Sequence, residues 1–416
     1  MYTDCYMTPI DNILIYIFLF ISLYFEVFFL ITFLEFKNKP VKELLLPKTL
    51  PSVTIMVPCW NEERTAAKTI KSLLALDYPK NKLKIFAIDD GSTDGTWNIL
   101  KRFEKNPQVQ IFKKDNGGKH TALNHGLDFV DTDLVGCLDA DSFVAPDALK
   151  EIVTCFAEDE KIMAVVPAIV IHDPQTLMQL IQKAEYFLSV FIRKVASLLD
   201  ALFVTPGPFS IFRTHMIKEV EGYRHGHNTE DLEMALRLQK KHYKIGNCPS
   251  AFVYTIGPRT LQDLYKQRVR WTHGFLENAK DYKELFFTRS YGNLSILMLP
   301  VALISIFAAL YIAIIFLLSI LNQIITKVAE INTIGMSSFK FIPDLFFINA
   351  DSMIFVSLTL VILTTTLVLF GKKLAGEKLS ITRDMVYYLF LYGFIAPFWL
   401  AKSVYNSALA KKSTWR

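Results

Sequence analysis

Three long apolar stretches, Ile10 to Phe36, Leu294 to Leu321 and Leu345 to Phe370, decide what this chain can become. They hold few charges, Asp11, Glu26 and Glu35 in the first being the densest set. An apolar run of that length crosses a bilayer as a helix, the conformation that satisfies its own backbone amides in hydrocarbon. Met385 to Ala401 is a shorter fourth candidate, interrupted by Pro397. The first stretch is too long for a secretory signal core, and neither a basic segment before it nor a small-residue cleavage site accompanies it. The composition agrees: 52% hydrophobic residues, 33 Phe and a mean hydropathy of +0.29 are too apolar for an ordinary soluble enzyme.

The basic residues beside the spans orient them. Lys37, Lys39, Lys42 and Lys48 follow the first span, and the loop from Gly371 to Asp384 carries Lys372, Lys373, Lys378 and Arg383. The loop from Asn322 to Asp344 has only Lys327 and Lys340, offset by Glu330 and Asp344. The N-terminus is therefore expected outside, with the central region and the 371–384 loop in the cytosol. Four simple crossings would leave Lys411, Lys412 and Arg416 outside; a re-entrant hairpin broken at Pro397 keeps them inside and is the favoured expectation. Five scattered cysteines without Cys-x-x-Cys spacing argue against a disulfide framework and a zinc site. The net charge of +5 is spread out, which suits a surface near anionic lipid and not a nucleic-acid groove.

Lys37 to Arg289 is polar and mixed, enough for a globular domain. Ser52 to Pro58 reads as a buried strand, followed by Asn61-Glu62-Glu63 and an amphipathic helix from Arg64 to Leu76. Lys84 to Ile88 is a second strand, ending in Asp89-Asp90-Gly91 and leading to a helix from Thr96 to Glu104. Val109 to Phe112 is a third, followed by Asn116-Gly117-Gly118-Lys119 and a helix from His120 to Val130. Leu134 to Cys137 is a fourth and runs into Leu138-Asp139-Ala140-Asp141. Strands alternating with helices at this spacing predict an α/β domain with a mostly parallel sheet covered on both faces, whose ligands bind beyond the carboxyl ends of the strands.

All four polar strings fall at such ends. On a strand, Asp139 and Asp141 project to one side, and two adjacent carboxylates call for a cation; their oxygens suit Mg²⁺ or Mn²⁺. Taken alone, that pair reads equally as a strand end with a polar turn. Asp89 to Thr96 reads alone as a turn with a helix cap, and Lys119 as a solvated charge, although a helix start favours anions and so a phosphate. Neither G-x-x-x-x-G-K-[ST] nor G-x-G-x-x-G is present, so the usual ATP and NAD fingerprints are missing. Together the four strings describe a nucleotide pocket.

Beyond them, Ala164 to Ile171 reads as a strand. Leu177 to Leu199 reads as a long helix whose apolar positions interleave with Lys183, Arg193 and Lys194, as suits a membrane surface. Thr205-Pro206-Gly207-Pro208-Phe209-Ser210 is a rigid turn into a strand ending at Arg213. Glu230 and Asp231 open an amphipathic helix, either as first-turn acids on the helix dipole or as a carboxylate base for a hydroxyl nucleophile. Within the helical run Thr260 to Tyr282, Gln267, Arg270 and Trp271 share one face. That segment is either a basic interfacial helix or a site where Trp carries a sugar ring and Arg grips a diphosphate. His225-Gly226-His227 reads as a loop.

The ordered set resembles the membrane-embedded processive β-glycosyltransferases of family 2 with the GT-A fold, a group that includes cellulose, chitin, hyaluronan and poly-N-acetylglucosamine synthases. The resemblance extends from the strand before Asn61-Glu62 through the spans after Trp271, and is closest to bacterial poly-β-1,6-N-acetylglucosamine synthases. It rests on Asn61-Glu62-Glu63, the Asn116-to-Lys119 loop, Thr229-Glu230-Asp231 and Gln267-x-x-Arg270-Trp271. It implies a Rossmann-like GT-A cytosolic domain over about 37–258, interfacial amphipathic helices over 259–293, transmembrane helices over 1–36 and 294–410, and a basic tail over 411–416. The protein would be a multi-pass enzyme of the plasma membrane.

The resemblance implies roles as well. Asn61, Glu62, Asp89, Asp90 and Lys119 would serve the donor UDP-sugar, with Asp90, joined by Asp89, on uracil and ribose. Asp139 and Asp141 would hold Mg²⁺ or Mn²⁺ on its diphosphate. Asp231, beside Glu230, would be the general base, and Gln267, Arg270 and Trp271 would hold the acceptor end and the leaving diphosphate. The activity implied is inverting, processive polymerisation of a UDP-sugar, best UDP-N-acetylglucosamine, into a β-linked exopolysaccharide that leaves through the spans. The rivals are a non-processive transferase acting on a polyisoprenyl phosphate or lipid, and an inactive membrane scaffold. No basic regulatory domain follows the last span, so control is expected through a partner such as a small membrane accessory subunit. Two features depart from the family pattern: the proline-rich Thr205–Phe209 string, and Leu232-Glu233 after Asp231 where hyaluronan and chitin enzymes carry arginine.

Overall fold

The computed structural model describes residues 9–37, 46–47, 49–334 and 352–410. Lys39, Lys42, Lys48, Lys340, Asp344 and the tail with Lys411, Lys412 and Arg416, which entered the orientation argument, lie outside the described residues.

After helix α1 (Pro9–Lys37) comes an alternating α/β unit: β1 (Val53–Cys59), α2 (Ala66–Leu74), β2 (Leu83–Asp90), α3 (Thr96–Lys101), β3 (Val109–Lys114), α4 (Lys119–Leu127) and β4 (Leu134–Cys137). These strands are parallel in the order β3-β2-β1-β4, with Cys59 level with Asp89 and Asp90 level with Lys114. Their apolar side chains are buried on both sides, Ile55, Met56, Ile85 and Val135 among them, as expected of strands covered by helices on both faces.

The other half is β5 (Ser142–Val144), α5 (Ala148–Glu158), β6 (Ile162–Ile171), α6 (Leu177–Leu198), β7 (Ile211–Arg213), α7 (Thr214–Glu219), α8 (Glu230–Lys240), β8 (Lys244–Thr255) and α9 (Leu261–Asp281). Here the expectation of a mostly parallel sheet needs correction. β7 is antiparallel to both β4 and β6, and β5 is antiparallel to β8, so the eight-stranded sheet, β3-β2-β1-β4-β7-β6-β8-β5, is mixed. The reversal matters for function, because the start of β7 meets the carboxyl end of β4 and delivers the Thr205–Pro208 turn to the same edge. β5 and β8 escaped the sequence reading for physical reasons: β5 has three residues, while β8 contains Pro249 and polar residues and its partner shifts register at Pro167/Ala168. Asp139 and Asp141 sit in the connection from β4 to β5, not on a strand.

α6 begins with a reciprocal cap: Thr176 accepts from the Gln179 amide, and Gln179 accepts from the Thr176 amide. Thr260 caps α9 one way only, its hydroxyl oxygen accepting from the Asp263 amide. After a π-helical turn (Leu294–Met298) come α10 (Leu299–Ile334), α11 (Ser352–Leu374) and α12 (Arg383–Ala408). By length and apolarity α1, α10, α11 and α12 can each cross a bilayer, and they expose large apolar side chains such as Phe20, Leu317, Phe355 and Phe390. The Glu26 carboxylate of α1 accepts the Thr364 hydroxyl of α11 at 2.7 Å.

α12 is continuous through Pro397, so the hairpin expected there does not form. Proline removes one backbone donor, but packing on both sides of it holds the helix straight on. Tyr392 lies 5.6 Å from the 2%-exposed Trp399, Met385 packs with Ala184 and Phe187 of α6, and Ser403 and Ser407 bond to Val269 and Glu277 of α9.

Candidate active site

The β1–α2 and β2–α3 turns are tied together. Asn61 takes φ 56°, donates its amide to Ser92 Oγ at 3.0 Å, and accepts from the Thr93 amide at 2.9 Å. The Glu62 amide donates to Thr96 Oγ1 at 2.7 Å, and its carboxylate accepts the Thr65 hydroxyl at 2.6 Å. Asp90 accepts from the amides of Gly117 (3.1 Å) and Gly118 (2.9 Å) and from Lys114 Nζ (2.7 Å), closing the glycine loop onto β2. Asp89 faces inward, fully buried, with Oδ1 on the Ser92 amide.

Across the edge, Lys119, Asp139, Asp141, Glu230, Asp231, Gln267, Arg270 and Trp271 all line one cavity of about 680 Å³. Asn61, Glu62, Asp89 and Asp90 lie along the same edge but outside that wall. Lys119, at the start of α4, reaches Asp139 at 2.5 Å and Glu230 at 3.5 Å. Burial works against its ammonium, but Asp139 and Glu230 outweigh it and hold its pKa well above the usual lysine value. Burial, then the charges of Asp139 and Glu62, push the Asp141 carboxyl up to about 6. Gly207 leaves room for this pair: a Cβ on it would lie 2.5 Å from Lys119 Nζ and 3.1 Å from Asp139 Oδ2, so the Lys119 ammonium would have to move.

The acids of α8 face this group from its first turn. Asp231 Oδ1 accepts from the Leu232 amide at 2.9 Å, and its carbonyl accepts the Thr205 hydroxyl at 2.8 Å. Burial and then the Glu230 charge raise the Asp231 pKa, against the pull of Lys119 and Arg270. α9 passes over this turn. Arg270 donates to the Asn228 carbonyl at 3.0 Å, and Gln267 Oε1 is buried with no hydrogen-bond partner among the described residues. Gly274 lets α9 touch Thr229, and Asn278 donates to the Gly226 carbonyl at 2.9 Å and to Thr229 Oγ1 at 3.0 Å.

Behind Trp271, the Arg268 guanidinium stacks 4.4 Å from its ring and pairs with Glu185 of α6 at 2.6 Å. Tyr392 of α12 donates to the other Glu185 oxygen at 2.9 Å. Sequence reasoning missed Glu185, Tyr392, Gly274 and Asn278, and read Gly207 only as part of a rigid turn. Gly274 and Asn278 follow Trp271 at helical spacing and were findable by that signal; Glu185 and Tyr392 come from distant segments and carried none.

The cavity does not end at the acids. It continues past Trp271 to Met298, Ala302 and Ser305 at the start of the α10 segment and to Tyr388 and Tyr392 of α12. The carboxylates of Asp139, Asp141 and Asp231 and the Trp271 ring thus share a cavity that opens toward apolar helices.

Residues 51–274 match the family described as "Glycosyltransferase like family 2". A poly-beta-1,6-N-acetyl-D-glucosamine synthase of Staphylococcus epidermidis is 29% identical over 355 residues, covering 84% of this chain and 83% of the relative. A synthase of the same name from Staphylococcus aureus strain COL is 33% identical over 227 residues, 54% of this chain and 55% of the relative. Among solved structures, the mannosyltransferase PcManGT from Pyrobaculum calidifontis, in complex with GDP-Man and Mn²⁺, superposes with a TM-score of 0.62 at 17% identity, over 95% of this chain and 99% of that one. The last is a likeness of fold.

Proposed function

This chain is a family 2 glycosyltransferase of the GT-A fold, and from that premise we propose that it polymerises sugar from UDP-N-acetylglucosamine into a β-linked polysaccharide and passes the product into the membrane. The observation that carries the reading is the single cavity running from Asp139, Asp141 and Asp231 past Trp271 to α10 and α12. A growing chain held on Trp271 has somewhere to go. The relatives named poly-beta-1,6-N-acetyl-D-glucosamine synthase support the choice of sugar.

Asp231 takes the proton of the acceptor hydroxyl, whose oxygen bonds to the anomeric carbon as the bond to UDP breaks on the opposite side, inverting that centre. Its raised pKa suits a base better than that of an exposed aspartate. Arg270, fixed on the Asn228 carbonyl above the α8 turn, faces the departing diphosphate. Lys119 steadies Asp139 and Glu230 and adds positive charge on the donor side.

Asp139 and Asp141 fit a divalent cation, Mg²⁺ or Mn²⁺: they line one wall, and burial beside a second carboxylate makes the ionised Asp141 costly unless a cation compensates. Among the described residues no third acidic, His or Cys side chain joins them, so Asp139 and Asp141 would hold the cation together with oxygens of the donor diphosphate and water. When bound, the cation would offset charge on the leaving diphosphate. Asn61, Glu62 and Asp90 shape the nucleotide end by anchoring its turns.

In this reading α1, α10 and α11 cross the cell membrane with the catalytic domain in the cytosol. Both ends of α12 rest on α6 and α9 of the catalytic unit, which keeps residue 408 on that face.

The test uses membranes containing the full chain, with Mg²⁺ or Mn²⁺ and UDP-GlcNAc, UDP-Glc or UDP-GlcA supplied separately. UDP release and long product from UDP-GlcNAc alone, both abolished in Asp231→Asn, are expected. A product of one sugar on a lipid would overturn the polymerase reading.

A further inference from the structure

Behind the acids of α8 lies a second, much smaller space. Lys119, Gly207, Glu230 and Asp231 line both the main cavity and a niche of about 10 Å³, the room that one water molecule needs. Tyr223, Cys137 and Thr205 line the niche alone. Tyr223 follows the Gly222 turn (φ 69°) and is fixed to α4 through both its backbone groups: its amide donates to Asn124 Oδ1 and its carbonyl accepts from Asn124 Nδ2, each at 2.8 Å. Its ring stands edge-on to Phe212 at 6.4 Å. The residue is 5% exposed, and its hydroxyl is buried with no hydrogen-bond partner among the described residues. The Cys137 thiol beside it is a weak acceptor and gives its own proton to the Gly207 carbonyl at 3.0 Å, while the Thr205 hydroxyl goes to the Asp231 carbonyl. Burial, then Cys137 and Glu230, hold the Tyr223 pKa well above the usual tyrosine value, so it stays a donor.

A buried hydroxyl with an unmet proton costs stability unless water takes it. The niche gives the space, and its wall gives the partners: Tyr223 as donor, the Glu230 carboxylate as acceptor, and Lys119 beside them. Glu230 is short of donors, since its ion pair with Lys119 spans 3.5 Å, longer than an ordinary hydrogen bond. We propose that the niche binds one water, which accepts the Tyr223 hydroxyl proton and donates to the Glu230 carboxylate, making Tyr223 a positioning residue for the acid pair of α8. The two side chains have different supports, Tyr223 on α4 and Glu230 in the α8 turn beneath α9, and the water closes the seam between them. Tyr223 does not line the main cavity; it acts on Asp231 through Glu230, whose charge opposes ionisation of Asp231. The other charged groups facing the pair are Lys119 and His120 of α4 and Arg270 of α9, with Asp139 reaching it through Lys119; Arg237, which acts on Tyr223, is taken by Glu233. The inference rests on the assignment of Asp231 as base above and adds to it a residue behind that base.

The experiment compares the full-length wild type with Tyr223→Phe, Glu230→Gln and the double variant, reading melting temperature and the pH dependence of UDP release from UDP-GlcNAc at saturating Mn²⁺. Tyr223→Phe removes one oxygen and keeps the ring. Without the bridged donor, Glu230 takes up a proton more readily, its charge no longer opposes Asp231, and Asp231 ionises at lower pH. The acid limb of the profile should therefore move down by about one pH unit, the shift that matches a tenfold change in the hydrogen bond, with an unchanged KM for the donor. The melting temperature should fall, because a satisfied hydroxyl has been lost. Glu230→Gln should move the limb in the same direction, and Tyr223→Phe added to it should move the limb no further. A higher melting temperature for Tyr223→Phe would show a dry, unpartnered hydroxyl and overturn the water site. An unmoved limb, a limb moved to higher pH, or a shift that persists in the Glu230→Gln background would overturn the route through Glu230. An Asp231→Asn chain that still releases UDP refutes the base assigned in the preceding section, and the positioning role with it.

Discussion

Replacing Gly274 by alanine tests whether the register of α9 over α8 sets the catalytic geometry. A Cβ on Gly274 would lie 2.4 Å from Thr229 Oγ1, 2.5 Å from its Cγ2 and 3.0 Å from its Cβ. Ordinary contact needs about 3.5 Å, so α9 and the Thr229 turn must separate by about 1 Å. Thr229 cannot easily swing away, because its hydroxyl donates to the Gly226 carbonyl at 2.7 Å and accepts from Asn278 at 3.0 Å. Alanine gains about 1 kcal/mol of helix propensity, and overpacking costs about 1–3 kcal/mol, so the net stability loss is at most about 2 kcal/mol. Catalysis suffers more. Arg270 and Trp271 ride on α9, Asp231 sits in the first turn of α8, and a misplacement of about 1 Å between such groups costs on the order of 100-fold in rate. UDP release by membranes, with a melting curve of the purified chain, should show a large loss of rate with a small loss of stability. Adding Thr229→Ala removes the two closest atoms and should recover part of the rate, giving a coupling of at least about 1 kcal/mol. A Gly274→Ala enzyme within about threefold of wild type would refute the reasoning.

The acid limb of the pH–rate profile should lie above the ordinary aspartate value of about 4, because the proposed base, Asp231, must be ionised to act and its pKa is raised. Glu230→Gln removes the second cause of that shift, so the limb should move to lower pH; an unmoved limb contradicts the assignment of base. Asp141→Asn removes one of two anionic ligands and should raise the Mn²⁺ or Mg²⁺ concentration needed for half activity by at least about tenfold, read by metal titration after chelation. Glu185→Gln strands the buried Arg268 charge and should cost about 3–5 kcal/mol in the thermal stability of the purified chain, whereas Tyr392→Phe should cost about 1–2. Equal stability of all three proteins would show that the Glu185 network is not holding α6, α9 and α12 together.

Much of the first half of the domain was legible because each strand is a short apolar run that stops abruptly at a polar string, and parallel pairing puts those stops on one edge. Asp139 with Asp141 and Lys119 were found this way, Glu230 with Asp231 as acids opening an amphipathic helix and Gln267 with Arg270 and Trp271 by helical spacing, and one cavity wall gathers them. Asp89 and Asp90 show a limit: adjacent strand residues point to opposite faces, and sequence does not say which turns inward. The strand ending at Arg213 was read, but its antiparallel sense was hidden because direction is set by tertiary pairing, and the ion pairs of Glu185 and Lys119 likewise depend on tertiary approach. Pro397 misled as a breaker, since packing against α6 and α9 outweighs the one hydrogen bond it forfeits.

The central claim is that one active site adds sugars repeatedly and feeds the product toward the membrane helices. A pulse–chase measures this most directly: membranes receive labelled UDP-GlcNAc for less than one average chain time, then excess unlabelled donor, and the labelled product is sized over time. The account predicts label inside chains that keep lengthening through the chase without exchanging, and none with Asp231→Asn. Label confined to products of one or two sugars, unchanged by the chase, would contradict it.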